Sequence, residues 1–210
     1  NPFIGTGGHG HTFPGAVVPH GMIQPSPDTR IDGWDACSGY YYADSTINGF
    51  SHTHVSGTGC CDYGDVLLMP TVGKQQYRTT DPQSQRLAYA SSFSHKNEIA
   101  EPGYYSVFLD TYQVKAEISS TKRGAIHRYT FPENAESGFI IDLDYSLQRQ
   151  TNSEMEIEVI SDTEICGHKK TTYWAFDQYI NFYAKFSKPF SYTLVTDSIT
   201  TVSYTHLRAH

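Results

Sequence analysis

Residues 114–131 read VKAEISSTKRGAIHRYTF, and apolar side chains alternate with polar ones along both halves of this stretch. The residues that share one face are Val114, Ala116 and Ile118 in the first half and Ala125, His127, Tyr129 and Phe131 in the second. Successive side chains of a β-strand point to opposite faces, so a period of two predicts a strand with one buried face. We therefore expect two strands here, each with one face against a core.

The same pattern recurs along the second half of the chain. Alternation is clear in residues 154–159 and 180–186, a shorter apolar run covers 139–143, and 191–195 is strand-like. Turn-forming residues separate these segments, and no segment has the apolar period of an amphipathic helix over three turns. Short alternating strands between turns are typical of antiparallel sandwiches. The sequence predicts an all-β fold, an antiparallel β-sandwich.

Residues 1–70 differ in character, because they are rich in Gly, Pro, His, Ser, Thr and Asp and show little periodicity. Glycine allows positive φ angles, and short polar side chains bond to their own backbone, so we expect loops between short strands. Aromatic residues spaced through the segment favour ordered loops; they are Phe3, Phe13, Trp34 and Phe50. Long ordered loops in a compact domain usually carry function.

Composition excludes two classes of partner. The net charge is −7, and the longest basic cluster is Lys169-Lys170, so we expect no nucleic-acid partner. No run approaches the 18 apolar residues that a membrane-spanning helix needs, so we expect no membrane span. Sixteen tyrosines dominate an aromatic content of 14%, which fits either a β-rich chain or a site for polar rings such as sugars.

Length suits one β-rich domain, and the last residues differ from the rest. Residues 202–210 show neither alternation nor a closing turn. We expect a domain over 1–201, incomplete at its C-terminal end, and a non-native tail over 202–210.

The four cysteines are Cys37, Cys60, Cys61 and Cys166. Their spacing matches no zinc motif, and the adjacent Cys60 and Cys61 cannot readily pair with each other. An even number of cysteines permits disulfides in an oxidising compartment without requiring them. Cysteine usage therefore leaves the compartment open.

Residues 32–40, DGWDACSGY, place a tryptophan inside a polar loop. Trp34 can serve as a platform on which a sugar ring packs, with Asp35 accepting hydrogen bonds from hydroxyl groups. The same ring can instead anchor the loop by burying itself in the core. Both interpretations stay open at this point.

Residues 50–65, FSHTHVSGTGCCDYGD, bring two alternating histidines near cysteines. On a strand His52 and His54 would share one face, and with Cys60 they could form a metal site. Hydrogen-bonded histidines near a polar interface are the favoured interpretation.

The pair Asp142 and Asp144 could be an acid and base, but strand-end carboxylates that bond a loop are commoner.

Several long motifs, taken in order, resemble the opening of glycoside hydrolase family 92. They are residues 1–16 (NPFIGTGGHGHTFPGA), 33–40, 49–60, 62–65 (DYGD), 102–107 (PGYYSV), 127–129 and 186–190 (FSKPF). The likeness runs from residue 1 to about residue 195. This resemblance implies a galactose-mutarotase-like β-sandwich followed by an (α/α)6 barrel, with the active site in the cleft between the two.

The resemblance also implies an activity. Family members resemble calcium-dependent, inverting exo-α-mannosidases that trim non-reducing terminal mannose from N-glycans or mannans. The implied partners are mannose-containing glycans and the chain's own C-terminal (α/α)6 domain, and the implied location is the periplasm, the surface or the exterior of a bacterium. The general acid, the general base and the Ca²⁺ ligands belong to the barrel, so we expect no catalytic residue and no metal ligand in 1–210.

The resemblance also implies which residues of this sequence bind substrate. Trp34 matches a family tryptophan that lines the sugar subsites. The other implied positions are Asp35, Cys37 and Tyr40, which adjoin that tryptophan, and His52 and His54, which lie near the cleft or the domain interface. An alternative from another class is a stand-alone carbohydrate-binding β-sandwich module.

Overall fold

Strands form most of the regular structure of residues 1–74, 86–149, 151–196 and 203–209, which this computed structural model describes. In chain order they are β1 (Ser26–Asp28), β2 (Thr46–Ile47), β3 (Gly49–Ser51), β4 (Leu67–Val72), β5 (Ser91–Glu101), β6 (Tyr104–Leu109), β7 (Val114–Ser120), β8 (Ala125–Thr130), β9 (Ser137–Asp142), β10 (Thr151–Val159), β11 (Glu164–Thr172), β12 (Gln178–Lys185), β13 (Phe190–Thr196) and β14 (Ser203–Ala209). Two 3-10 turns, Trp34–Ala36 and Leu147–Arg149, are the helical elements of these residues, and neither is long or apolar enough to cross a bilayer. The predicted all-β class is confirmed.

The described residues form three antiparallel sheets, which are stacked in layers. The middle sheet has six strands in the order β1-β3-β4-β9-β14-β13, and the outer sheets are β2-β5-β6-β7-β8 and β10-β11-β12. In β9, Ile140 belongs to the core shared with the five-stranded sheet, whereas Ile141 belongs to the core shared with the three-stranded sheet. The predicted sandwich is confirmed, with a third layer added. Burial of both faces explains why Phe139, Ile140 and Ile141 are consecutive apolar residues.

The strands predicted from residues 114–131 are β7 and β8. Val114, Ala116 and Ile118 are fully buried in the larger core, and Tyr129 packs against the same core. The alternating residues of β10 and β12 likewise turn their apolar side chains toward the smaller core. Each period-two pattern therefore marks a strand with one buried face, as expected.

The final strand, β14, pairs with β9 on one side and β13 on the other. The expectation that residues 202–210 are foreign concerns their origin and stays a prediction.

A buried ion pair joins the small sheet to the middle sheet. Lys169 of β11 and Asp65, just before β4, have fully buried side chains, and Lys169 Nζ lies 3.0 Å from Asp65 Oδ1. The ammonium also donates to the carbonyl of Tyr145 at 2.8 Å. Asp65 Oδ2 accepts from Thr53 Oγ1 at 2.7 Å and from Gln178 Nε2 at 2.9 Å. Buried charges persist only when they are paired and hydrogen-bonded, so this cluster fixes how the two sheets meet.

A chain of hydrogen bonds crosses from β8 to the segment after β3. His52 Nδ1 donates to the carbonyl of Val66 at 2.7 Å, which leaves Nε2 of the neutral ring as an acceptor. His127 Nε2, 3.1 Å away, therefore donates to His52 Nε2, and His127 Nδ1 accepts from the Tyr129 hydroxyl at 2.7 Å. Desolvation lowers the pKa of both imidazoles, and the His52 ring further lowers the pKa of His127. Both histidines are neutral in the folded protein near pH 7.

We expect Lys169→Met to lower the free energy of unfolding by about 3–5 kcal/mol, because Asp65 would keep a buried and unpaired charge. Lys170→Met is the matched control, since the neighbouring side chain lies on the other face of β11 and pairs with Asp177, which is 68% exposed. Urea denaturation of both variants measures the difference. Equal losses in the two variants would show that the ion pair is not what joins the sheets.

The lowered histidine pKa values predict a loss of stability in mild acid. The unfolded imidazole titrates near 6.5, and the folded pKa is lower, so the unfolded chain binds more protons below that pH. The contribution of His52 and His127 to the free energy of unfolding is therefore fully present above pH 6.5. It decreases as the pH drops below 6.5, by up to about 1.4 kcal/mol per pH unit for each ring.

Asp142 opposes this trend, because burial raises its folded pKa to about 6, so the test compares the wild type with His127→Leu. The stability advantage of the wild type is expected to shrink between pH 7 and pH 5 in urea titrations. His168→Leu, at an exposed position on β11, controls for the loss of an imidazole. An advantage that stays constant across this range would contradict the hydrogen-bond chain.

Candidate functional site

Trp34 begins a 3-10 turn at the surface. Gly33 precedes it with φ 110°, a conformation that side chains with a Cβ rarely adopt, and the Cys37 amide closes the turn on the Trp34 carbonyl at 3.4 Å. The Trp34 side chain is 57% exposed and belongs to neither buried core. An anchor in the core would be buried, so the structure favours the surface platform.

Two other loops hold the Trp34 ring in place. The edge of His11 contacts it at 4.3 Å between ring centroids and an interplanar angle of 81°, and His9 lies at 5.1 Å. Gly59 donates its amide to His11 Nδ1 at 3.2 Å. A Cβ at residue 59 would lie 3.1 Å from Trp34 Nε1 and 3.2 Å from the His11 ring, so glycine permits this close packing. The glycine-rich segment 5–11 thus supports Trp34 within this chain.

Asp35 lies beside Trp34 with 39% of its side chain exposed, and its Oδ1 is hydrogen-bonded to His9 Nδ1. An exposed carboxylate next to an aromatic face accepts hydrogen bonds from hydroxyl groups, while the ring packs on C–H surface. Trp34 and Asp35 are the two predicted site residues that the structure places together at the surface.

Cys37, Tyr40 and His54 lie beneath this surface. They are 2%, 1% and 6% exposed, so they offer no direct contact to a ligand in this structure. The Tyr40 hydroxyl donates to the carboxylate of Glu98 at 3.0 Å, and burial beside that carboxylate raises the Tyr40 pKa. His54 Nε2 lies 2.8 Å from Asp28 Oδ1, and its Nδ1 donates to the Gln24 carbonyl at 2.7 Å. All three support the loops structurally.

His52 and His54 do not share a face, contrary to the expectation from their alternation. Strand β3 ends at Ser51, so neither histidine is in a strand. His52 bonds to His127, whereas His54 bonds to Asp28. Within the described parts of the chain, no three His, Cys, Asp or Glu side chains converge as metal ligands. The metal site built on His52, His54 and Cys60 is not assembled.

An aromatic turn between β11 and β12 lies beside this surface and was not among the predicted site residues. Tyr173, Trp174 and Phe176 are 44%, 66% and 82% exposed. Asp62 Oδ2 accepts the Ala175 amide at 2.9 Å, which holds this turn beside segment 59–62, the same segment that packs on Trp34. The signal was present, because three aromatic residues among four stand where a turn normally carries Gly, Asn, Asp or Ser.

Asp142 is a strand-end carboxylate, as favoured from the sequence. Its Oδ2 accepts from the Tyr89 hydroxyl at 2.5 Å, and its Oδ1 accepts the amides of Asp144 and Tyr145. Its side chain is buried, so it is not presented to a substrate.

The exposed surface near Trp34 can bind and orient a polar ring, with Asp35 as its neighbouring carboxylate.

Comparison with known proteins gives a consistent result. The model for the glycosyl hydrolase family 92 N-terminal domain matches residues 1–208. A family GH92 α-mannosidase of Bacteroides thetaiotaomicron, solved with mannoimidazole, superposes with a TM-score of 0.92 and 35% identity, covering 100% of this chain and 30% of that one. An inverting GH92 mannosidase of the same organism gives 0.76 and 27%, covering 100% of this chain and 29% of that one.

A curated relative, an uncharacterized secreted glycosidase of Arthroderma benhamiae, is 32% identical over 134 residues, which are 62% of this chain and 17% of that protein. The chain therefore spans less than a third of the length of these relatives. The match to the family model covers nearly all of the sequence, and the fold agrees over its whole length. This chain belongs to glycosyl hydrolase family 92 and corresponds to its N-terminal β-sandwich domain.

Proposed function

We propose that this chain forms the substrate-cleft wall of an inverting, calcium-dependent exo-α-mannosidase that removes terminal mannose from N-glycans or mannans. In this proposal the acid and base lie in a C-terminal (α/α)6 domain, and the protein acts outside the cytoplasm of a bacterium. The observation that carries the proposal is the exposed Trp34 platform, whose ring packs against His11 and Gly59 beside the Asp35 carboxylate.

The chemistry of inversion supports the division of roles. Inverting hydrolysis needs one carboxylic acid at the leaving oxygen and one carboxylate that activates water on the opposite side of the sugar. Asp35 is engaged by His9, and Asp62 has 5% exposure and is engaged by the amides of Tyr63 and Ala175. The residues near Trp34 therefore bind and orient the sugar, and the proton transfers fall to groups outside this chain.

The proposal also assigns the Ca²⁺ site to the C-terminal domain. Ca²⁺ takes six to eight oxygen ligands. Among the residues that the structure describes, no cluster of three acidic, histidine or cysteine side chains is arranged to hold an ion. The side chains of the described residues therefore do not fit a calcium site, and in this proposal the C-terminal domain would hold the ion.

A second candidate function is a free carbohydrate-binding module. The exposed aromatic turn at Trp174 and Phe176, held beside the Trp34 platform through segment 59–62, favours this candidate, because aromatic faces bind sugar rings without needing an acid or base. The two candidates differ in whether the chain alone binds sugar tightly.

The purified chain is expected to release no mannose from mannobiose or from a yeast mannan, because near Trp34 the Asp35 carboxylate is bonded to His9 and Asp62 is buried. Release is measured by reducing-sugar assay, with a complete GH92 mannosidase as positive control. Turnover by the chain alone would overturn the proposed division of roles.

Calorimetric titration with mannobiose tests the second candidate, since a Kd at or below about 0.1 mM would favour a binding module.

In the complete enzyme, Trp34→Ala is expected to lower kcat/KM about tenfold, equivalent to roughly 1.4 kcal/mol of lost sugar contact. The thermal midpoint should change little, because the ring is outside both cores. Tyr183→Ala removes an aromatic of similar exposure, 59%, from the outer face of β12 and is the matched control. A large fall in thermal midpoint with unchanged kcat/KM would make Trp34 a structural residue instead.

A further inference from the structure

Two buried thiols meet beneath the Trp34 turn. Cys37 ends the turn and is 2% exposed, and Cys61 comes from segment 59–62 and is 6% exposed. Each thiol shifts the pKa of the other, which places the two side chains near each other, and Cys61 Sγ lies 3.9 Å from the carbonyl of Gly33, the residue before the turn. Two loops that are distant in sequence thus bring their sulfur atoms together at the base of the platform.

We propose that Cys37 and Cys61 form a disulfide when the protein folds under oxidising conditions. The bridge would tie the Trp34 turn covalently to the segment that packs against the Trp34 ring. This inference does not rest on the proposed mannosidase activity. Oxidising surroundings are the normal setting for disulfides in secreted proteins, and one curated relative is described as secreted.

The other cysteines do not fit this pairing as well. Cys60 is exposed, and adjacent cysteines cannot readily bridge each other. Cys166 lies on β11 with its Sγ 3.8 Å from Glu158 Oε2, on the outer face of the small sheet. In the described residues, Cys37 and Cys61 are the two buried cysteines, and each thiol shifts the pKa of the other.

The oxidation balances with glutathione disulfide as oxidant. One cysteine thiolate attacks glutathione disulfide, forming a mixed disulfide and releasing one glutathione thiol. The second cysteine thiolate attacks the protein sulfur of the mixed disulfide, forming the Cys37–Cys61 bond and releasing the second glutathione. Two protein thiols are oxidised, and one glutathione disulfide is reduced to two glutathiones.

Burial decides when this exchange occurs. Desolvation raises the pKa of the Cys37 thiol and raises that of Cys61 to about 12, so neither is a reactive thiolate in the folded protein. Exchange is therefore fast while the chain is folding and both thiols are accessible, and slow once they are enclosed. The bridge is a structural one, formed during folding.

The test refolds the reduced chain from urea in a mixture of reduced and oxidised glutathione, blocks free thiols by alkylation, and digests with chymotrypsin. Cleavage after Trp34, Tyr40, Phe50 and Tyr63 separates residues 35–40 from 51–63. Mass spectrometry should find these peptides linked in the wild type and in Cys60→Ser, and unlinked in Cys61→Ser. The oxidised wild type should melt roughly 5–10 °C above the reduced protein, and Cys61→Ser should lose this difference.

Natively folded protein in which both thiols are alkylated after oxidative refolding would overturn the proposal. So would a link that persists in Cys61→Ser, because Cys60 would then be the partner. Cys37→Ser provides a second variant, which should release Cys61 for alkylation while circular dichroism confirms the fold.

Discussion

The ammonium of Lys169 is sealed from water and is paired with the Asp65 carboxylate at 3.0 Å. Because a buried charge is tolerated only with its partner in place, the small sheet can pack on the middle sheet in the one arrangement that closes this pair. Asp62 adds a second attachment through the Ala175 amide. The motif DYGD at residues 62–65 therefore joins the loops around Trp34 to the β11–β12 hairpin, and it sets where the platform lies relative to the three sheets.

Much of the fold followed from the period-two pattern, because β7, β8, β10 and β12 each bury one face. The third layer could not be foreseen. The inward face of β11 carries Ile165, Gly167, Lys169 and Thr171, so it has almost no apolar signal. Its burial depends on Asp65, which is distant in sequence, and local pattern does not report such tertiary pairing.

The placement of the candidate site residues followed from the sequence only in part. Trp34 and Asp35 lie at the surface together, but the sequence alone could not decide between platform and anchor, since the choice depends on contacts from His11 and Gly59. The prediction that His52 and His54 share one face of a strand was wrong, because β3 ends at Ser51. The sequence around residue 51 does not mark this end of the strand. The aromatic turn at Trp174 could have been identified from the sequence, because its residues differ from those that turns normally contain.

A binding surface made of loops has to be ordered before the ligand arrives, because ordering it during binding costs about 0.5–1.5 kcal/mol per immobilised side chain. Here the ordering comes from polar contacts between loops. His11 adopts φ 54°, an uncommon conformation for a residue with a side chain, yet its carbonyl accepts the Gly57 amide at 2.6 Å and its Nδ1 accepts that of Gly59. Strain at one residue is thus offset by two hydrogen bonds that hold the loop against Trp34. The buried thiols of Cys37 and Cys61 lie beneath the same loops. The Trp34 turn is therefore packed against buried side chains as well as against His11 and Gly59.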